Sequence, residues 1–231
     1  MSKLIKALII NGGPRKNWTT AKMLESAMKG AADAGAETEL IHLFDYEFTG
    51  CKSCFACKLK NSKAGGICVL KDAIRPVLEK AYDADVIIIG SPVYLSNPTG
   101  AAKSFMERLI YPLLSYNPKA KANANGNEEP EGGIRDKKVP AAIIYSMGDT
   151  KEHTDSINYP IILGEYARFM KMVYGHGEIL CTYSGYQFND YSRYDIMDGV
   201  QEVKEQYRTE QFPKDLAAAY DLGKRLVEAA K

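Results

Sequence analysis

The chain has 231 residues, with 30 lysines and arginines against 29 aspartates and glutamates, and 45% of its residues are hydrophobic. These values are ordinary for a globular protein and exclude a largely disordered chain. A net charge of +1 gives no excess of basic residues that could bind a polyanion such as nucleic acid. The longest apolar runs are too short to span a bilayer, and no secretory cleavage site is visible. We therefore expect a cytoplasmic protein that binds neither nucleic acid nor a membrane.

Apolar runs alternate with amphipathic stretches, which is typical of βαβ units in a parallel sheet. The predicted strands are residues 3–11, 38–44, 85–91, 140–147 and 178–183. The predicted helices are residues 19–35, 72–84, 99–114, 156–174 and 213–230. The polar stretch at about 118–137 is interpreted as an exposed excursion. The pattern predicts one α/β domain over residues 1–231, built as a three-layer, doubly wound sheet of five parallel strands.

The loop after the first strand has the composition of a phosphate site. Gly12 and Gly13 let backbone amides approach an anion, Arg15 adds positive charge, and the helix near Thr19 begins with free N–H groups. The loop lacks Gly-Lys-Ser/Thr, which excludes a P-loop, and lacks Gly-x-Gly-x-x-Gly, which leaves an ordinary dinucleotide site unsupported. A phosphate cradle and a plain strand–helix turn both remain open. The cradle residues would be Gly13, Arg15, Asn17, Thr19 and Thr20.

Three motifs in the same order resemble those of a known family. They are the loop at 11–20 (NGGPRKNWTT), Ser91-Pro92-Val93-Tyr94 with its following helix, and Cys51-x2-Cys54-x2-Cys57 with Cys68. Together they resemble the flavodoxin-like NAD(P)H-dependent FMN reductases and, more narrowly, the iron-sulfur flavoproteins within that group. The first half of the chain carries most of the resemblance. Gly13 departs from the family pattern, which often has a serine there.

The resemblance implies a flavodoxin-like fold that binds FMN, with NAD(P)H as co-substrate and a small-molecule electron acceptor. It also implies a homo-oligomer, a dimer or a tetramer. Because the flavin carries the chemistry, no side chain is predicted to be catalytic. An electron carrier that serves a protein partner is the alternative, and a zinc-stabilised nucleotide-binding module is a third interpretation.

Further residues are predicted around the flavin ring. The resemblance places Pro92, Tyr94, Asn97 and Thr99 along the ring. Ser146, Met147 and Gly148 end the fourth strand, so they should contact the same ligand. Tyr183, Tyr186 and Phe188 are candidates for an aromatic cover, with core packing as the alternative. Lys103 and Arg108 are interpreted as solvated helix charges.

Four of the five cysteines fall between residues 51 and 68. The close spacing of Cys51, Cys54 and Cys57 is typical of iron-sulfur ligation, and Cys68 would be the fourth ligand of a [4Fe-4S] cluster. The gap before Cys68 is longer than is usual in the family that the chain resembles. Two alternatives stay open, namely a thiol-bearing loop without metal and a zinc site.

Overall fold

The protein is described by a computed structural model that covers residues 4–116 and 133–231. Residues 118–132 of the predicted polar excursion lie outside the described residues. The strands are β1 (Lys6–Asn11), β2 (Glu37–His42), β3 (Val86–Tyr94), β4 (Asn97–Pro98), β5 (Ala141–Ser146) and β6 (Glu178–Thr182). The helices are α1 (Thr19–Asp33), α2 (Arg75–Asp83), α3 (Gly100–Ile110), α4 (Lys151–Ser156), α5 (Tyr159–Tyr174), α6 (Val200–Glu210) and α7 (Phe212–Ala229).

The sheet has the order β2-β1-β3-β5-β6, and each of these neighbours pairs in parallel. Strand β4 adds a short antiparallel hairpin to the end of β3. Without β4, this is the flavodoxin-like order of a doubly wound sheet. The predicted fold of five parallel strands is therefore confirmed, and the position where the strand order reverses lies between β1 and β3.

Each face of the sheet carries its own apolar core. Ile87 and Ile89 of β3 pack with residues from α2, α3 and α5, whereas Ile88 packs with α1 and α7 on the opposite face. A parallel strand that is buried on both faces needs an unbroken apolar sequence, which explains the isoleucine run in β3. Two helical layers thus enclose one sheet. Among the described residues, no helix is both long and apolar enough to cross a membrane.

Several elements differ from the sequence-based prediction, including the short elements β4 and α4, which the sequence does not predict. The predicted helix over 156–174 begins later, at Tyr159, because Asn158 adopts a left-handed backbone (φ 61°) and Pro160 lies in the first turn of α5. Helix α6 was not predicted, and its sole buried residue is Lys204. An exposed helix without an apolar stripe gives no helical period in the sequence.

Candidate functional site

The carboxyl ends of β1, β3 and β5 meet around a cavity of about 140 Å³. Three predicted segments contribute to its lining, since they follow three neighbouring parallel strands. The predicted residues that line it are Gly13, Arg15, Thr19, Thr20, Pro92, Tyr94, Ser146, Met147 and Gly148. The topology therefore brings together residues that are up to about 130 positions apart in the sequence.

Hydrogen bonds to neighbouring elements fix the loop after β1. The Gly12 N–H donates to the carbonyl of Gly90 at 2.7 Å, and the Gly13 N–H donates to Oδ1 of the buried Asn11 at 2.8 Å. The Thr99 hydroxyl donates to the Gly12 carbonyl at 2.6 Å. A Cβ atom on Gly12 would lie 2.6 Å from the Cβ of Ala102, so this position requires glycine.

The amino terminus of α1 faces this loop without a capping side chain. Trp18 occupies the N-cap position with no side-chain capping bond, and the first turn contains no acidic residue. The hydroxyls of Thr20 and Ser146, both largely buried, lie 2.5 Å apart. Free amide donors, the positive end of a helix dipole and two hydroxyls form a donor set that suits an anion such as a phosphate.

Arg15 lies at the mouth of the cavity. Its guanidinium donates to the carbonyl of Gln187 at 2.7 Å and lies 4.1 Å from the ring centre of Trp18. Partial burial lowers the pKa of Arg15, yet arginine stays charged in proteins. The indole N–H of Trp18 donates to the carbonyl of Tyr186 at 2.5 Å. The segment from Gly185 to Gln187 thereby closes one side of the cavity.

Lys204 is a functional candidate that the sequence did not reveal. It is 4% exposed, and its ammonium donates to the carbonyls of Gly148 at 2.7 Å and Gly185 at 3.1 Å. Burial lowers the pKa of this lysine. Lys204 thus ties together two loops that line the cavity and places a positive charge behind them. A lone lysine in a polar helix gives no sequence signal for this contact.

Five predicted residues lie outside this cavity, and one of them, Phe188, lines a neighbouring cavity. Thr99 is buried as the N-cap of α3, where its oxygen accepts from the Ala102 N–H. Asn97 is exposed and donates to the carbonyl of Leu95. Asn17 lines a neighbouring cavity, and the half-buried Tyr183 packs against the apolar core. Gly185, Tyr186 and Gln187 line the cavity instead. Of these, only Tyr186 was considered from the sequence, as an aromatic cover.

The cysteine segment forms a separate cavity on the side of α3. All four predicted ligands line it, namely Cys51, Cys54, Cys57 and Cys68. Cys51 and Cys54 are exposed, whereas Cys68 is buried, and all four are free thiols. Ser53 and Phe55 have positive φ values of 51° and 54°, which wind the segment around the cavity. Four thiols around one cavity are a donor set that matches a [4Fe-4S] cluster.

A single metal ion would need its ligands to converge on one point. Within residues 4–116 and 133–231, no three histidine, cysteine, aspartate or glutamate side chains converge closely enough to hold one ion. A cluster spreads its ligands over several irons, so it does not need such convergence. A tetrahedral zinc ion would bring all four sulfurs to about 2.3 Å from one point. A zinc site would therefore need the four thiols to lie closer together than the structure places them.

Arg108 corrects the prediction of a solvated helix charge. It is 1% exposed, and its guanidinium forms two bonds to the Asp72 carboxylate, at 2.5 and 2.9 Å. This ion pair holds the pKa of Asp72 below its usual range. The guanidinium also donates to the carbonyls of Thr49 at 3.1 Å and Leu70 at 3.3 Å. Because these residues flank the cysteine segment, Arg108 fixes both of its ends.

The chain is similar to known flavoproteins over its first part. The model of the NADPH-dependent FMN reductase family matches residues 5–151. An iron-sulfur flavoprotein of Archaeoglobus fulgidus is 45% identical over 104 residues, which are 45% of this chain and 48% of that protein. An iron-sulfur flavoprotein of Methanosarcina thermophila is 32% identical over 126 residues, which are 54% of this chain and 62% of that protein. The matched part is thus less than two thirds of the length of each relative.

Solved structures of low sequence identity share the fold. An azoreductase from Bacillus anthracis has a TM-score of 0.61 at 13% identity and covers 96% of this chain and 100% of its own. An NAD(P)H:quinone oxidoreductase from Methanothermobacter marburgensis has a TM-score of 0.59 at 12% identity and covers 97% of this chain and 100% of its own. Such likeness concerns the architecture alone. The family match extends over well more than half of the chain, and the chain belongs to the NADPH-dependent FMN reductase family.

Proposed function

We propose that the protein is an FMN-dependent oxidoreductase in which NAD(P)H reduces bound FMN for a small-molecule electron acceptor. The observation that carries this proposal is the cavity at the carboxyl ends of β1, β3 and β5, which combines a phosphate donor set with two loops suited to a flat ring. Bound FMN would supply hydride acceptance and electron transfer. The formal charge of +1 argues against an electron carrier for a protein partner, since such carriers are usually strongly acidic.

In this proposal, the chain's residues bind and orient the cofactor. The phosphate would rest on the amides at the start of α1, on the hydroxyls of Thr20 and Ser146, and on the charge of Arg15. The ring would lie against Pro92 and Tyr94, and Met147 and Gly148 would contact it from β5. Arg15 would exchange its bond to the Gln187 carbonyl for the phosphate, so FMN binding would remove one of the bonds that hold the segment from Gly185 to Gln187.

We further propose that Cys51, Cys54, Cys57 and Cys68 hold a [4Fe-4S] cluster. Their shared cavity supports this, because all four thiols line it. The iron-sulfur flavoproteins to which the chain is similar carry this cofactor class in their names. In this proposal, the cluster would pass electrons to or from the flavin.

A homo-oligomer is proposed as well. The tip of the β3–β4 hairpin and the first turn of α5 expose large apolar residues, with Leu95 96% exposed and Ile161 70% exposed. Burial of such residues between copies removes apolar surface from water. Static light scattering at micromolar concentration should give a mass of at least twice 25.6 kDa. A monomeric mass in the presence of FMN would refute the oligomer.

The placement of the phosphate is tested by replacement of Arg15. Arg15→Gln should weaken FMN binding by about 1.5–3 kcal/mol, the scale of a hydrogen bond to a charged group, when fluorescence quenching of FMN is titrated with apoprotein. Lys16→Gln is the matched control, because Lys16 is the neighbouring residue, loses the same charge, and pairs at the surface with Asp45 at 2.7 Å. Equal affinity of the Arg15→Gln variant and the wild type would contradict this placement.

A further inference from the structure

A second cavity lies on the other side of Trp18 from the proposed flavin site. Its volume is about 290 Å³, against about 140 Å³ for the flavin cavity. Trp18, Thr19, Gly185 and Tyr186 belong to the walls of both. The remaining walls come from Lys22 of α1, from residues after β6, and from α6 and α7. Most of this cavity is therefore built by the part of the chain that follows the family match, which ends at residue 151.

Aromatic side chains make up much of its lining, and they are held in place. Tyr186 contacts the ring of Tyr191 edge to face at 5.5 Å, and Phe188 stacks on Tyr194 at 3.7 Å. The Tyr207 hydroxyl donates to Asp215 and accepts from the Tyr183 N–H, so its ring position is fixed. With Trp18 and Phe212, five aromatic residues line the cavity. Preorganised aromatic walls suit a planar aromatic guest, because ring stacking costs little ordering of the protein.

Two cations complete the lining. Lys22 and Arg208 are exposed, and within the part of the chain that the structure describes neither forms an ion pair. The guanidinium of Arg208 lies 5.1 Å from the ring centre of Tyr186, so it is held over the cavity wall. The amides of Asn17 and Asn189 add uncharged donors and acceptors. Two cations in the lining of an aromatic cavity favour a ligand with about two negative charges.

We infer that this cavity is a second binding site, for a planar aromatic group that carries a phosphate, as in adenosine monophosphate. Its volume of about 290 Å³ is close to the lower limit of ligand pockets, about 300 Å³. The same chemistry has two sources, a free nucleotide or the adenylate half of NAD(P)H. Binding of the adenylate half of NAD(P)H rests on the proposed function, whereas binding of a free nucleotide does not.

The test uses adenosine monophosphate as the probe and isothermal titration calorimetry as the measurement, on the full chain with and without saturating FMN. Saturable binding is expected in both conditions. Adenosine, which lacks the phosphate, should bind about tenfold more weakly than the monophosphate, on the scale of a charged hydrogen bond. Arg208→Gln should lower the affinity for adenosine monophosphate by a similar factor. Lys224→Gln is the matched control, since Lys224 is an exposed cation of α7 outside the cavity.

A wall variant gives a second readout that does not depend on charge. Phe212→Leu should weaken adenosine and adenosine monophosphate equally, because it removes a stacking surface and leaves both cations in place. The inference is overturned if no saturable binding appears up to millimolar concentration, or if Arg208→Gln and Phe212→Leu both bind as the wild type does. It is also overturned if the probe binds only without FMN and competes with it, because the cavity would then belong to the flavin site.

Competition separates the two sources of the ligand. Displacement of adenosine monophosphate by NADPH or NADH, together with weaker dinucleotide binding in Arg208→Gln, supports the adenylate half as the guest. Simultaneous binding of the probe and the dinucleotide supports a free nucleotide as the guest. If the full chain binds adenosine monophosphate but does not bind FMN, the proposed flavin function is refuted and the second site is still supported.

Discussion

Lys204 is a buried cation on a helix that is otherwise mostly exposed. Burial lowers the pKa of Lys204. The folded protein therefore releases the proton of this ammonium at a lower pH than the unfolded chain does, in which a lysine has a pKa of about 10.4. Between the two pKa values the unfolded state binds more protons, so the free energy of unfolding rises with pH through this interval. The charge of Lys204 therefore costs stability at neutral pH, and its bonds to two loop carbonyls offset part of that cost.

The lowered pKa of Lys204 predicts how the stability of the protein depends on pH. Urea denaturation gives the free energy of unfolding of the wild type and of Lys204→Met at each pH. The wild-type value minus the variant value should increase as pH rises in the alkaline range below about 10.4. Lys224→Met, at an exposed position of α7, is the matched control for the loss of a lysine side chain. A pH-independent difference for Lys204→Met would show that its ammonium titrates normally in the folded protein.

The Arg108–Asp72 pair predicts a large effect of a single substitution. Asp72→Ala leaves the fully buried guanidinium of Arg108 without its counter-charge, so we expect a loss of about 3 kcal/mol in the free energy of unfolding. Glu39→Ala breaks an exposed pair with Lys80 and should cost at most about 1 kcal/mol. Urea denaturation of both variants makes the comparison. Equal small losses would mean that Arg108 gains other partners when Asp72 is removed.

At the scale of elements, α1 and α7 approach closely because of glycine. A Cβ on Gly223 would lie 1.9 Å from the carbonyl oxygen of Ala27, and one on Gly30 would lie 1.9 Å from that of Tyr220. Two helices whose backbones meet this way cannot accept a methyl group without moving apart. This contact positions α7 and, through the short turn at Gln211, the exposed helix α6 that carries Lys204.

Gly223→Ala should therefore destabilise the protein by about 1–3 kcal/mol, as other overpacked cores do. Gly164→Ala in α5 is the control of opposite sign, since a Cβ there meets no atom within 4 Å. It should raise the free energy of unfolding by about 0.5–1 kcal/mol through better helix propensity. Urea denaturation of both variants tests this contrast. If the two substitutions change the free energy of unfolding equally, the close contact between α1 and α7 at Gly223 is contradicted.

The cysteine segment gives a prediction of its own. Anaerobic reconstitution with iron and sulfide should yield about four irons per chain and broad visible absorbance, as a [4Fe-4S] cluster requires. Replacement of Cys54 and Cys57 by serine together should abolish both signals. Cys181→Ser should not, because Cys181 lies in β6 outside the cysteine cavity. Full iron content in the double variant would refute these ligands.

The sequence predicted the elements that local patterns encode and missed those that distant contacts create. The isoleucine run of β3 and the glycine-rich loop after β1 could be recognised in isolation, because their periodicity and backbone needs are local. The burial of Arg108 depends on Asp72, which lies 36 residues away, and no local pattern contains that pairing. For the same reason, the family resemblance places Thr99 along the ring, whereas in the structure its hydroxyl donates to the Gly12 carbonyl, 87 residues away in the chain.

For the whole molecule, one proposed centre lies at an edge of the sheet and the other lies against helix α3. The flavin cavity is at the carboxyl ends of the central strands, and the cysteine cavity lies against α3, which follows the β3–β4 hairpin. Helix α3 thus begins beside the flavin loop, where Thr99 bonds to Gly12, and its Arg108 fixes the cysteine segment. Helix α3 therefore links the loop after β1 to the cysteine segment.

The central claim is that this chain binds FMN and reduces it with NAD(P)H. The most direct measurement is the visible spectrum of anaerobically purified protein after addition of FMN and removal of the unbound flavin, recorded before and after addition of NADPH or NADH. The account predicts about one FMN per chain, with flavin bands that bleach when the nicotinamide cofactor is added. A protein that retains no FMN, or one whose bound flavin neither nucleotide bleaches, would contradict it.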